Sequence, residues 1–224
     1  MVCMEEGILD SYLTVNGTAE GEYSEKRSKF YAFSFHVENT EQIKSIVADV
    51  QKKYYDARHV CYAYMLGPER LEWRVNDNGE PSGTAGKPIL GQINSRGLTD
   101  VLVAVVRYFG GVKLGTSGLI EAYRQATVEV LNNAEIVTRY VEKNITIFFD
   151  YPVMNEVMKL VKEYSPAVVL QEYDSYLPPE GINRTQNFDC KIVLRSRLTT
   201  ISAITAALDK ILEPQVVPNL AYEQ

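Results

Sequence analysis

Two glycine-bearing segments hold the side chains with the most chemical potential. In RYFGGVKLGTSGLIEAY (107–123), Gly110, Gly111, Gly115 and Gly118 let the backbone turn sharply and approach a ligand closely. The helix expected after them offers unpaired N–H groups and the positive end of its dipole. Lys113 adds a charge, Arg107 precedes the loop, and Thr116 and Ser117 add hydroxyls. Together these make an anion or phosphate cradle. The segment is not a Walker A loop, which needs Lys directly after its second glycine, whereas Lys113 lies before Gly115. Nor is Ser117 in a nucleophile elbow, because G-x-S-x-G fails at Leu119. The alternative is a tight turn with Thr116 or Ser117 as a helix cap.

The second segment, DNGEPSGTAGKP (77–88), carries Asp77, Glu80, Ser82, Gly83, Thr84 and Lys87. Long ordered loops often have functions. It either folds over the first loop to complete one pocket or is a surface excursion, ordered or disordered. A third segment, ARHVCYAY (57–64), puts His59 and Cys61 two apart, on one face of a strand. A Cys–His nucleophilic pair needs a third, orienting group, and none is evident. A buried core cysteine is the simpler account. His36, the other histidine, cannot complete a metal site by spacing. No catalytic residue, metal ligand or cofactor is assigned. Tyrosines beside arginines, as at Tyr54, Tyr55, Arg58 and Tyr62, could stack bases, but strand propensity alone favours tyrosine there.

The elements that must position these residues follow from periodicity. Residues 8–37 read as strands, with SKFYAFSFHV (28–37) alternating. Lys26, Arg27 and Lys29 form a small basic cluster beside that strand. Asn39 or Thr40 caps an amphipathic helix marked by Ile43, Ile46, Val47, Val50 and Tyr54. Strands follow at 59–66 and 71–76, then the long loop and a short helix near Pro88 to Ser95. DVLVAVVR (100–107) is a continuous apolar strand buried on both faces, and Leu119, Tyr123, Ala126, Val130 and Ala134 mark a second long helix. The first half is a sheet with about two helices on one face. The second half reads strand (141–151), helix from Pro152, strands at 167–177 and 188–195 joined by PPEGINRTQ, and a helix capped by Thr199 or Thr200 running to Leu212. A possible edge strand lies near Gln215 to Leu220. That order is a split βαβ, ferredoxin-like plan.

Composition bounds the rest. The 224 residues suit one large domain or two modest ones, and 46% apolar content is enough for a core. No apolar run reaches the ~18–20 residues of a membrane span, and MVCMEEGILD lacks a secretory pattern, so a cytoplasmic protein is expected. Three scattered cysteines give neither a disulfide framework nor a metal site. A net charge of -6 argues against general DNA binding and leaves any RNA contact to a local patch.

ARHVCYAY, DNGEPSGTAGKP and VVRYFGGVKLGTSGLIEAYRQA resemble, in order, the signature segments of the YigZ/IMPACT family over about residues 20–135. The rest is similar to the small C-terminal domain of the bacterial members. The resemblance implies an α+β protein: an N-terminal domain (1–139) with the ribosomal protein S5 domain 2-like fold, its helices on one face of the sheet, and a ferredoxin-like C-terminal domain (140–224). Relatives of the first fold include kinases that bind nucleotide phosphate at a glycine-rich loop. The same two folds sit side by side in elongation factor G. Eukaryotic IMPACT proteins restrain a translation kinase with the help of an N-terminal RWD domain, which has no counterpart here. Two departures from the family pattern are Asn78, where Asp is usual, and Ser117, where Gly is usual. The implied function is regulation of translation by binding the ribosome, RNA or a translation-associated protein through the glycine-rich loops. The expected ligand residues are Gly110, Gly111, Lys113, Gly115, Thr116, Ser117, Glu80, Ser82, Gly83, Thr84 and Arg107. The alternative is an enzyme or sensor for a small phosphorylated ligand held between residues 77–88 and 108–118, with Glu80 as general base.

Overall fold

The structure is a computed structural model that describes residues 10–177 and 187–211, and 216–217 as backbone alone. The turn-rich PPEGINRTQ, the expected helix end at Leu212 and most of the expected edge strand lie outside those residues. The fold is mixed α and β, with five α-helices among the described residues. The chain divides into two compact units, Ser11–Arg139 and the residues from Tyr140 onward together with Asp10.

The first unit is built on five antiparallel strands: β2 (Thr18–Glu25), β3 (Ser28–His36), β4 (His59–Leu66), β5 (Glu72–Asn76) and β6 (Val101–Tyr108). They lie in the order β2-β3-β6-β4-β5. The apolar strand β6 takes the centre, as its composition demands. Its odd-numbered residues Val101, Val103 and Val105 pack under α2 (Gly86–Ser95) and α3 (Gly115–Asn133), with Ile89, Leu119, Tyr123, Ala126 and Val130. Its even-numbered Leu102 and Val106 face α1 (Thr40–Lys53), which packs Ile43, Val47 and Val50 on the opposite side. The expectation of helices on one face is therefore corrected. A strand that is apolar on both faces needs cover on both.

Local rules account for the helix ends. Asn39 caps α1, its side chain accepting from the N–H of Gln42 at 2.9 Å. Helix α2 begins at Gly86, two residues before Pro88, because a proline in the first turn removes an N–H that has no intrahelical partner anyway. A short strand β1 (Ser11–Val15) pairs with β7 (Ile136–Tyr140), a strand that periodicity did not announce.

The second unit runs β8 (Glu142–Phe149), α4 (Met154–Tyr164), β9 (Ala167–Tyr176), β10 (Phe188–Arg197), α5 (Leu198–Leu208) and β11 (Val216–Val217). Pro152 sits in a 3₁₀ turn that leads into α4. The antiparallel sheet has the order β11-β8-β10-β9. Its core joins Ile145, Ile147 and Phe149 of β8, Cys190, Ile192 and Leu194 of β10, Val157 of α4, and Ile204 and Leu208 of α5. The final helix starts at Leu198, with Arg197 rather than a threonine at its cap position. No helix among the described residues is long and apolar enough to cross a membrane.

Candidate anion-binding site

The loop after β5 is ordered, and Asp77 is its organiser. The Asp77 carboxylate accepts backbone N–H groups from Gly83 (2.8 Å), Ala85 (3.0 Å) and Gly86 (2.8 Å). Burial pushes this carboxyl up, but the N–H groups of Gly83, Gly86 and Ala85, with Lys87 nearby, outweigh it and hold it below the usual carboxylate range. Gly83, at φ +78°, makes the turn that brings its N–H inward. The hydroxyl of Thr84 is spent locally, donating to the Pro81 carbonyl at 2.7 Å.

This ring of hydrogen bonds delivers Glu80 into the core. Its carboxylate accepts from Arg107 Nη1 at 2.6 Å and from the Tyr123 hydroxyl at 2.9 Å. The side chains are 3% exposed for Glu80 and 8% for Arg107, so the ion pair is dry. Arg107 follows the parity of Val101, Val103 and Val105 and so points to the α2–α3 side. There its guanidinium lies 5.7 Å from the ring centre of Phe30 and 5.8 Å from that of Phe109. Its Nε is buried without a partner. Cys61 completes the cluster, with Sγ 2.9 Å from the Asp77 carbonyl oxygen and 3.3 Å from Tyr123 Oη. Burial pushes the Cys61 thiol up to about 12, and the hydrogen bond with Tyr123 opposes this only in part. His59 spends Nδ1 on the Asn78 carbonyl at 2.8 Å. Cys61 and His59 thus fasten the loop and do not form a nucleophilic pair. No group of three or more His, Cys, Asp and Glu residues able to hold a metal occurs among the described residues.

The loop between β6 and α3 is anchored at one point and otherwise open. Gly110 lies against the β2–β3 turn, where its N–H donates to Ser28 Oγ at 3.2 Å. A Cβ there would stand 2.0 Å from the Arg27 carbonyl carbon, so only glycine fits. Lys26, Arg27 and Lys29 are exposed around this contact. Beyond it, Gly111, Lys113, Gly115, Thr116 and Ser117 are exposed, while Leu114 and Leu119 turn inward. Leu114 occupies the cap position of α3 and no side chain caps the helix. Thr116 and Ser117 therefore lie inside the first turn and do not act as caps.

The expected ligand residues fall into two groups. Glu80 and Arg107 meet each other in the core, where Glu80 is a counter-charge and not a free base. Thr84 is buried beside them, Gly83 is half-buried and Ser82 is exposed. Gly110, Gly111, Lys113, Gly115, Thr116 and Ser117 form the outer group. The two loops are joined at their roots, by Glu80 to the end of β6 and to Tyr123 of α3. Among the described residues no hydrogen bond links residues 77–86 to residues 109–117. Sequence reasoning did not find the roles of Asp77 and Tyr123, whereas its buried core cysteine is what Cys61 proves to be. The one available signal was an arginine ending an otherwise apolar, doubly buried strand, which requires a counter-charge nearby.

Residues 26–131 match the family model of the Impact N-terminal domain. The chain is 35% identical over 156 residues to the IMPACT family member YvyE of Bacillus subtilis (strain 168), covering 70% of this chain and 72% of that one. It is 30% identical over 154 residues to the IMPACT family member YigZ of Escherichia coli (strain K12), covering 68% and 76% respectively. Among solved structures, the crystal structure of a hypothetical protein aligns over 96% of this chain and 99% of its own, with a TM-score of 0.66 at 24% identity, which shows a shared fold.

Proposed function

This chain belongs to the IMPACT family, and from that premise we propose that it is a translation-associated regulatory protein. It docks a ribosome- or RNA-linked partner, or another anionic ligand, through the loop that opens α3. The observation that carries this reading is the exposed first turn of α3, which no side chain caps, with Lys113 just before it. Unclaimed N–H groups at the positive end of a 19-residue helix favour an anion, and phosphate is the anion an RNA partner presents. Lys26, Arg27 and Lys29, beside the same loop, supply further charge in a chain whose net charge is -6. On this reading residues 1–139 form an S5 domain 2-like domain, residues 140–224 form a ferredoxin-like one, and the protein works in the cytoplasm. An enzyme with Glu80 as general base is the weaker reading, because Glu80 is buried against Arg107 and Tyr123.

Co-sedimentation with ribosomal particles across a salt series tests the proposal. Association is expected at low salt, falling as salt rises because phosphate contacts release counterions. Lys113→Ala should weaken it and flatten its salt dependence. Absence of the wild-type protein from the particle fraction at the lowest salt would count decisively against a ribosomal partner.

A further inference from the structure

Among the described residues of the first unit, α1 is the one helix packed on the sheet face opposite α3. With its side chains an α-helix is about 10–12 Å wide, whereas five strands spaced ~4.8 Å apart span roughly 20 Å. Helix α1 covers the middle of that face and leaves open ground beside it. On the side of β4 and β5 this is a groove of 470 Å³, within the ~300–1,000 Å³ typical of small-molecule sites. Its floor is set by strand register: Tyr64 stands opposite Arg74 and Tyr62 opposite Asn76. The wall on α1 contributes Lys44 and Gln51, and Asn78 forms the lip.

The lining is chemically selective. It holds two cations and three side-chain amides, and no carboxylate, although acidic residues outnumber basic ones in the chain, 29 to 23. Arg74 forms no ion pair among the described residues. Lys44 reaches Glu41 at 3.7 Å, but both side chains are 77% exposed, and such a pair holds its partner weakly. Glu72 lies two residues from Arg74 on the same strand face, and burial, with Glu72 nearby, raises the Tyr64 phenol. The hydroxyl of Tyr62 accepts from Asn76 Nδ2 at 3.4 Å, which orients that amide along the floor. Asn78 is neutral, so the side chain at the lip does not repel an anion.

We propose that this groove binds a nucleoside monophosphate, with the phosphate between Lys44 and Arg74 and the base against the half-buried Tyr62, its edge read by Gln51, Asn76 and Asn78; Tyr64 is packed under α1 and serves only as floor. Each part of such a ligand finds its complement. Cations take the phosphate, the Tyr62 ring takes the heterocycle, and amides offer donors and acceptors to its edge. The site is separate from the α3 loop, since α1 and α3 pack on opposite faces of the sheet. Its fate does not depend on that of the ribosomal proposal.

Isothermal titration of the full-length protein with adenosine 5′-monophosphate tests the assignment. Saturable binding at one site is expected. Arg74→Ala and Lys44→Ala, both exposed positions whose thermal melts should match wild type, are each expected to weaken it about tenfold, the size of one lost charge-assisted contact. Adenosine, lacking the phosphate, should bind more weakly by a similar factor, and Asn78→Asp should also lower affinity. Lys113→Ala should leave in place the part of the isotherm that Arg74 and Lys44 control. The proposal is overturned if the wild type gives no saturable heat, if Arg74→Ala and Lys44→Ala keep full affinity, or if Lys113→Ala abolishes binding.

Discussion

Glu80→Ala removes the carboxylate that Arg107 and Tyr123 share, and leaves a guanidinium 8% exposed without its counter-charge. Breaking a buried pair from one side costs about 3–5 kcal/mol, because the surviving charge keeps its desolvation penalty and loses what offset it. The stranded Tyr123 hydroxyl adds to this. With a urea dependence of about 2 kcal/mol per molar, a loss of ~4 kcal/mol moves the unfolding midpoint down by about 2 M. Trp73 is the only tryptophan in the chain and lies on β5 of the same unit, so its fluorescence follows the relevant transition. Replacing both partners, Glu80→Leu with Arg107→Met, should recover most of the loss, since an apolar pair of similar volume carries no uncompensated charge. A Glu80→Ala midpoint within about 0.5 M of wild type, or a double variant no more stable than the single one, would refute the reasoning.

Three further outcomes are expected. Gly110→Ala, whose methyl would meet the Arg27 and Ser28 backbone at 2.0–2.3 Å, should cost about 3 kcal/mol in urea unfolding. Gly111→Ala should cost only about 1 kcal/mol, for its φ of +86° with open space around it, and equal costs would contradict the packing described for Gly110. Asp77→Asn should lose about 2 kcal/mol at pH 7, the worth of hydrogen bonds to a charged acceptor. Because the folded-state pKa of Asp77 is depressed, its contribution is complete above the unfolded value of about 4 and is lost as pH falls through the folded value. The gap between wild type and variant should therefore narrow in acid, and a gap unchanged from pH 7 to about pH 3 would contradict this. Iodoacetamide at pH 8, followed by peptide mapping, should leave Cys61 unmodified in the native protein and label it after denaturation, because burial raises its thiol to about 12.

What could be read from the sequence was local. The run VLVAVVR declared a strand buried on both faces, Leu119, Tyr123, Ala126 and Val130 declared α3, and Asn39 or Thr40 marked the start of α1, all within one element's length. The side of the sheet that α1 covers depends on strand order, which no single segment encodes. Strand β7 was hidden because IVTRY is too short to show alternation clearly and follows α3 almost directly. At the site, Glu80 and Arg107 were both singled out as ligand groups, yet the contact that joins them spans 27 residues and turns them toward each other. In the sequence Asp77 was one polar side chain among several in its segment. Its three backbone partners exist only once the loop has closed, so the residue types alone could not reveal its role.

The pairing of β1 with β7 ties residues 11–15 to residues 136–140, nearly the whole length of the first unit. During synthesis the earliest segment of that unit must wait for the latest before it gains its strand neighbour. Contacts between such distant parts of a chain form slowly, because loop closure comes before any reward. A nascent chain halted before residue 136 would hold a five-stranded core without this clasp, and deleting residues 11–15 would leave β7 as an unpaired edge, open to a strand from another molecule.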